Sequence, residues 1–189
     1  MAAAGAATDG PATVFFDFRG TVAAEVESEM KEELARLFRD SPRQFSFRRL
    51  QEASELGPLP DLAVLRIEGD CRMPPAWPAM DERGPFAWTH ISGGTVLSFG
   101  AVDCERLRGA VATALWGGDR ARGNQMLGRA LARVAAHELL HIFTGSKRHG
   151  RGLARPGLTA AELVAPKGAF TLQELHAMDG PPALAKENE

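Results

Sequence analysis

The spacing of hydrophobic and polar positions changes several times along this chain, and each change marks an element. Thr13-Val14-Phe15-Phe16-Asp17-Phe18 is a run of β-branched and aromatic residues of strand length. From Glu25 to Asp40 the residues Met30, Leu34, Leu37 and Phe38 recur at helical spacing, which predicts an amphipathic helix with those four facing inward. Gln44 to Leu50 alternates around Phe45 and Phe47, a second strand, and Leu62 to Ile67 reads as a third. Pro58 and Pro60 punctuate the loop between them, and Pro74, Pro75, Pro78 and Pro85 mark another. Ala87–Ile91 and Thr95–Phe99 flank a Ser92-Gly93-Gly94 turn, the pattern of a hairpin. Cys104 to Trp116 reads as a short helix and Gly117 to Gly123 as a loop.

The clearest periodicity lies between Asn124 and Thr144. Leu127, Leu131, Val134, Leu139 and Ile142 form an apolar stripe, with Arg129 and Arg133 expected to mark the side that reaches water. Asn124 suits the N-cap, and Gly145 suits a left-handed C-cap. Beyond Gly145 the chain is loop-rich. Thr159 with Glu162, and Thr171 with Glu174, each have the spacing of a capping box at the start of a short helix. The mostly parallel strand order with one antiparallel hairpin predicts an α+β fold, a mixed sheet packed on the long helix. Residues 1–12 read as a flexible segment and 13–189 as one domain, divided into 13–145 and a small irregular part, 146–189.

Inside the long helix stands His137-Glu138-Leu139-Leu140-His141. Residues four apart share a helix face, so both imidazoles can address one cation. Glu138 follows the first histidine directly, where its carboxylate can reach a water on that cation. This is the arrangement a zinc hydrolase needs: two neutral ligands, a general base and an open position. The bland alternative is a water-facing helix surface, but the flanking Val134, Ala135, Ala136, Ile142 and Phe143 are apolar. Isolated ionisable groups on a buried helix are costly unless paired or metal-bound.

A catalytic zinc takes a third protein ligand. Gly145 stops the helix and Ser146-Lys147-Arg148 can turn the chain back, which offers His149. Glu162 is the rival, although its capping position explains it without a metal. Glu174 has the same bland explanation, and His176 reads as a surface residue. His90 and Arg148 are weak candidates for stabilising a developing oxyanion.

Composition narrows the class. The chain has 189 residues, 44% hydrophobic and 24% charged, enough for a buried core. With 22 basic and 24 acidic residues the formal charge is −2, which gives no nucleic-acid footprint, and no segment looks like a membrane span. Tyrosine is absent, removing one common oxyanion donor. The first ten residues lack the basic start and apolar core of a signal peptide. Cys71 and Cys104 permit one disulfide or two buried thiols. Nothing in the pattern asks for an oligomer, so a monomer is the expectation.

Through His137, Glu138, His141, Gly145 and His149 the chain resembles the zincin metallopeptidases, and more narrowly a minimal metzincin-like domain. The resemblance implies a zinc metalloendopeptidase that hydrolyses peptide bonds of a peptide or protein substrate. Its zinc would be held by His137, His141 and His149, with Glu138 activating the bound water. It also implies a five-stranded sheet in which Ala87–Ile91 is the antiparallel edge beside the substrate cleft. The third and fifth strands would be neighbours, which would bring Cys71 and Cys104 together and favour an extracytoplasmic location. The family pattern is His-Glu-x-x-His-x-x-Gly-x-x-His; here the glycine falls one residue later and the last histidine two residues later. The family's methionine turn beneath the metal has no counterpart in Gly152-Leu153-Ala154-Arg155-Pro156, and Met178 is the only later methionine. The competing expectations are a non-catalytic, zinc-stabilised binding domain and an inactive peptidase homologue.

Overall fold

Five strands form one sheet in the order β2-β1-β3-β5-β4: β1 (Ala12–Phe18), β2 (Phe45–Arg49), β3 (Leu62–Glu68), β4 (Ala87–Ser92) and β5 (Thr95–Asp103). The computed structural model describes residues 10–55, 57, 59, 61–73, 84–115 and 122–179. Neighbours β2, β1, β3 and β5 run parallel, and β4 closes one edge antiparallel to β5. The fold is thus α+β with a mixed sheet. Val14 and Phe16 face the helices together with their register partners Ala63 and Leu65, and all four are fully buried. The alternate set, Val64 beside Phe99, faces the other way, where Phe99 is half exposed.

β5 extends to Asp103, past the expected end at Phe99. Gly100 and Ala101 carry little strand propensity, yet they pair with β3 on one side and β4 on the other. Partners on both sides override propensity in a central strand. Space also favours the glycine, because a Cβ at position 100 would lie 2.8 Å from the Leu65 side chain and 3.1 Å from the Trp88 carbonyl oxygen.

Helices α1 (Ala24–Leu37), α2 (Cys104–Ala114) and α3 (Gly123–Thr144) belong to the core that covers the sheet's apolar face. In α1 the residues Met30, Leu34 and Leu37 point inward, and Phe38 is the C-cap, ending the helix before Asp40. Gly128 lets α1 and α3 approach closely, since a Cβ there would meet the Val26 carbonyl at 2.5 Å. Cys71 and Cys104 are disulfide-bonded with Cα atoms 5.5 Å apart, fastening the end of β3 to the start of α2. Two short helices follow α3: α4 (Ala160–Val164) and α5 (Leu172–Ala177), each opened by the expected capping box. Among the described residues no helix is long and apolar enough to cross a membrane.

Two expectations about α3 need correction. Arg133 does not reach water: it is fully buried. Its guanidinium donates to the Glu33 carboxylate of α1 at 2.9 Å and to the carbonyls of Glu162 and Ala165 at 2.6 and 2.7 Å. A paired buried cation on an apolar face is invisible to periodicity. Asn124 does not cap the helix either; its side-chain oxygen accepts from the Met73 N–H at 2.9 Å, and the cap position is Arg122. Pro58, Pro60, Pro74, Pro75, Pro78, Trp116, the 117–121 part of the predicted loop and residues 1–9 lie outside the described residues.

Candidate metal centre

α3 delivers His137 and His141 to one face, one turn apart. The helix then ends in a Schellman turn: Gly145 is left-handed at φ 60°, its N–H bonds the Ile142 carbonyl, and the Ser146 N–H bonds the His141 carbonyl. The same turn places the Ser146 carbonyl 2.7 Å from His141 Nδ1. A 3-10 turn, Gly152–Ala154, places the Leu153 carbonyl 2.8 Å from His137 Nδ1. A carbonyl only accepts, so both Nδ1 atoms carry a proton, and in the neutral rings both Nε2 atoms present lone pairs.

Those two Nε2 atoms face each other at 3.1 Å. Two lone pairs at that distance repel unless a proton or a metal ion lies between them. Ligands around a tetrahedral zinc with metal–nitrogen bonds of about 2.0–2.1 Å sit roughly 3.3–3.4 Å apart, close to this spacing. His149 completes the set: one ligand atom from each of His137, His141 and His149 falls within 4.8 Å of the others. Burial pushes the His137 imidazole below its ordinary pKa, the Leu153 carbonyl opposes this, and nearby His149 adds to it. Burial and the neighbouring His141 do the same to His149. Neutral imidazoles are the form a metal ion requires. The residues present therefore fit a divalent metal, and imidazole donors suit zinc among others.

Glu138 points from α3 toward the edge strand. Its carboxylate is buried and accepts a short hydrogen bond from the Thr89 hydroxyl of β4. Burial raises its pKa, while the Thr89 hydrogen bond and His141 pull the other way. The three histidines and Glu138 line a cleft of about 410 Å³ between β4, α3 and the segment after Gly145.

No family model, curated protein or solved structure matches this chain. What the site can do rests on its own chemistry.

The other candidates lie elsewhere or are otherwise engaged. Glu162 is outside the histidine cluster; its carboxylate accepts from the Thr159 N–H at 2.8 Å and pairs with Arg155. Glu174 accepts from the Thr171 N–H at 2.7 Å and the Arg151 N–H at 2.9 Å, so this cap also pins the loop that carries His149. His90 faces the opposite side of the sheet beside Trp88 and Phe99, because alternate strand residues point oppositely and Thr89 takes the cleft side. Arg148 does not line the cleft, whereas Lys147 does. His176 is exposed on α5, and Met178 is fully buried in the core. Sequence reasoning missed Thr89. A hydroxyl between Ala87 and Ile91 on the inward face of the edge strand was its one available signal.

Proposed function

We propose that this protein is a zinc-dependent endopeptidase of zincin type, with His137, His141 and His149 holding the metal and Glu138 as the general base. The observation that carries the reading is the pair of Nε2 atoms facing each other at 3.1 Å beside a buried carboxylate in an open cleft. A closed structural site needs neither the cleft nor the carboxylate. The parallel sheet with antiparallel β4 at the edge supports the narrower metzincin-like resemblance.

When bound, zinc supplies a Lewis acid and a water whose pKa falls to about 7. The carbonyls of Leu153 and Ser146 fix the tautomers and ring planes of the two helical histidines. Glu138 accepts the proton of the attacking water and returns it to the leaving nitrogen. Thr89 holds that carboxylate in place, so the edge strand that would flank an extended peptide also positions the base.

Elemental analysis of protein refolded with several metals is expected to find about one zinc per chain. Glu138→Gln is expected to keep the zinc and lose cleavage of a mixed peptide digest, because an amide cannot take the proton. Absence of tight zinc would sink the reading, and undiminished cleavage by the variant would remove Glu138 from its role.

A further inference from the structure

The cleft has one cationic wall. From Gly145 to Ala161 the chain carries Lys147, Arg148, Arg151 and Arg155 and no aspartate or glutamate. Of these, Lys147 and Arg155 line the cleft. Arg155 is held in place: its Nε donates to the Gly157 carbonyl at 3.0 Å and its guanidinium pairs with Glu162. Lys147 is exposed and has no ion pair or side-chain hydrogen bond among the described residues. The only acidic side chain among the lining residues is Glu138, which is buried and bonded to Thr89. The rest of the lining is largely apolar, including Phe86, Ile91, Val96, Val134 and Leu158.

Position sharpens the point. Lys147 follows Ser146, whose carbonyl anchors His141, and precedes His149 by two residues. Its backbone is therefore tied to the histidine cluster, and Lys147 lines the same cleft as His137, His141 and His149. An unpaired cation beside apolar walls complements a ligand that carries both an apolar side chain and a carboxylate.

We propose that the cleft selects peptides in which an acidic residue flanks an apolar one, with Lys147 as the principal determinant and Arg155 as a second, fixed donor. The inference deepens the peptidase reading and rests on it for the peptide class. An exposed charge pair sets the scale: about a two- to fivefold gain in affinity for an acidic over a neutral peptide, shrinking as salt rises.

The test uses the full-length, zinc-loaded Glu138→Gln protein and three fluorescein-labelled peptides. They share a central leucine and differ only in flanking Glu, Gln or Lys. Anisotropy titrations are expected to rank binding Glu over Gln over Lys. Lys147→Gln should close the gap between the Glu and Gln peptides, and Lys147→Glu should reverse the order. Equal binding of all three, or a preference for Lys, would overturn the proposal. In parallel, mass spectrometry maps the bonds that the wild-type protein cuts in a mixed peptide digest. Acid-selective binding without any cleavage would keep this proposal and defeat the peptidase reading. Cleavage with no enrichment of Asp or Glu near the cut would do the opposite. No peptide binding and no cleavage would end both.

Discussion

At the scale of single residues the site depends on what each polar group is bonded to. His137 and His141 are oriented by backbone carbonyls, whereas His149 reaches the cluster from an exposed loop. Glu162 spends its carboxylate on Thr159 and Arg155. His149→Ala is therefore expected to weaken zinc binding by at least about 10- to 100-fold, since losing a ligand must cost no less than losing a group that merely orients one. Glu162→Ala should leave zinc affinity in place and lower stability only slightly, through the lost half of the capping box. Chelator competition reads the first quantity and urea unfolding the second. Release of zinc by Glu162→Ala alone would transfer the third ligand to the glutamate.

At the scale of elements, Arg133 is the clamp. From the middle of α3 it reaches Glu33 on α1 and the carbonyls at the end of α4. Glu33 also takes two hydrogen bonds from Arg36, each 2.7 Å. Burial opposes ionisation of Glu33, but the bonds from Arg36 and Arg133 override it and hold the carboxyl below its ordinary value. The stability it contributes is thus present above the unfolded carboxylate pKa and fades as pH falls through the lower folded value. Arg133→Met would leave Glu33 half-paired and the α4 carbonyls without a donor. The expected cost is about 3–5 kcal/mol, the range for breaking a buried pair from one side. It would be measured as a lower urea midpoint, and a loss under 1 kcal/mol would show that the clamp contributes little.

At the scale of the whole molecule, distant stretches of chain meet at the cleft. The edge strand brings Thr89, α3 brings His137, Glu138 and His141, and the segment after Gly145 brings Lys147 and His149. The sheet that aims β4 is braced at its other neighbour by the Cys71–Cys104 bond, which closes a separation of 33 residues. Reduction of protein prepared without reductant is expected to add the mass of two hydrogens. Replacing both cysteines by alanine is expected to cost about 3–4 kcal/mol, from loop-closure entropy. Two free thiols in protein from an oxidising compartment would count against the bond.

The parts legible in the sequence were those governed by short-range rules. Helical period put His137 and His141 on one face, glycine chemistry ended α3 at Gly145, and threonine–glutamate spacing set both capping boxes. These depend on neighbours within a turn or two. The disulfide and the placement of β4 at the edge followed only from a family resemblance. What tertiary structure alone decided is everything that crosses the chain. Arg133 read as solvated because its charge said so, yet Glu33 and three residues of the α4 region were waiting across the helix packing. In the sequence His90 stands out and Thr89 does not, yet strand alternation with the register of β4 on β5 sends His90 to the open face and Thr89 to Glu138. The carbonyls of Leu153 and Ser146 carry no sequence signal at all, since every residue has one; only the fold selects which two orient the histidines.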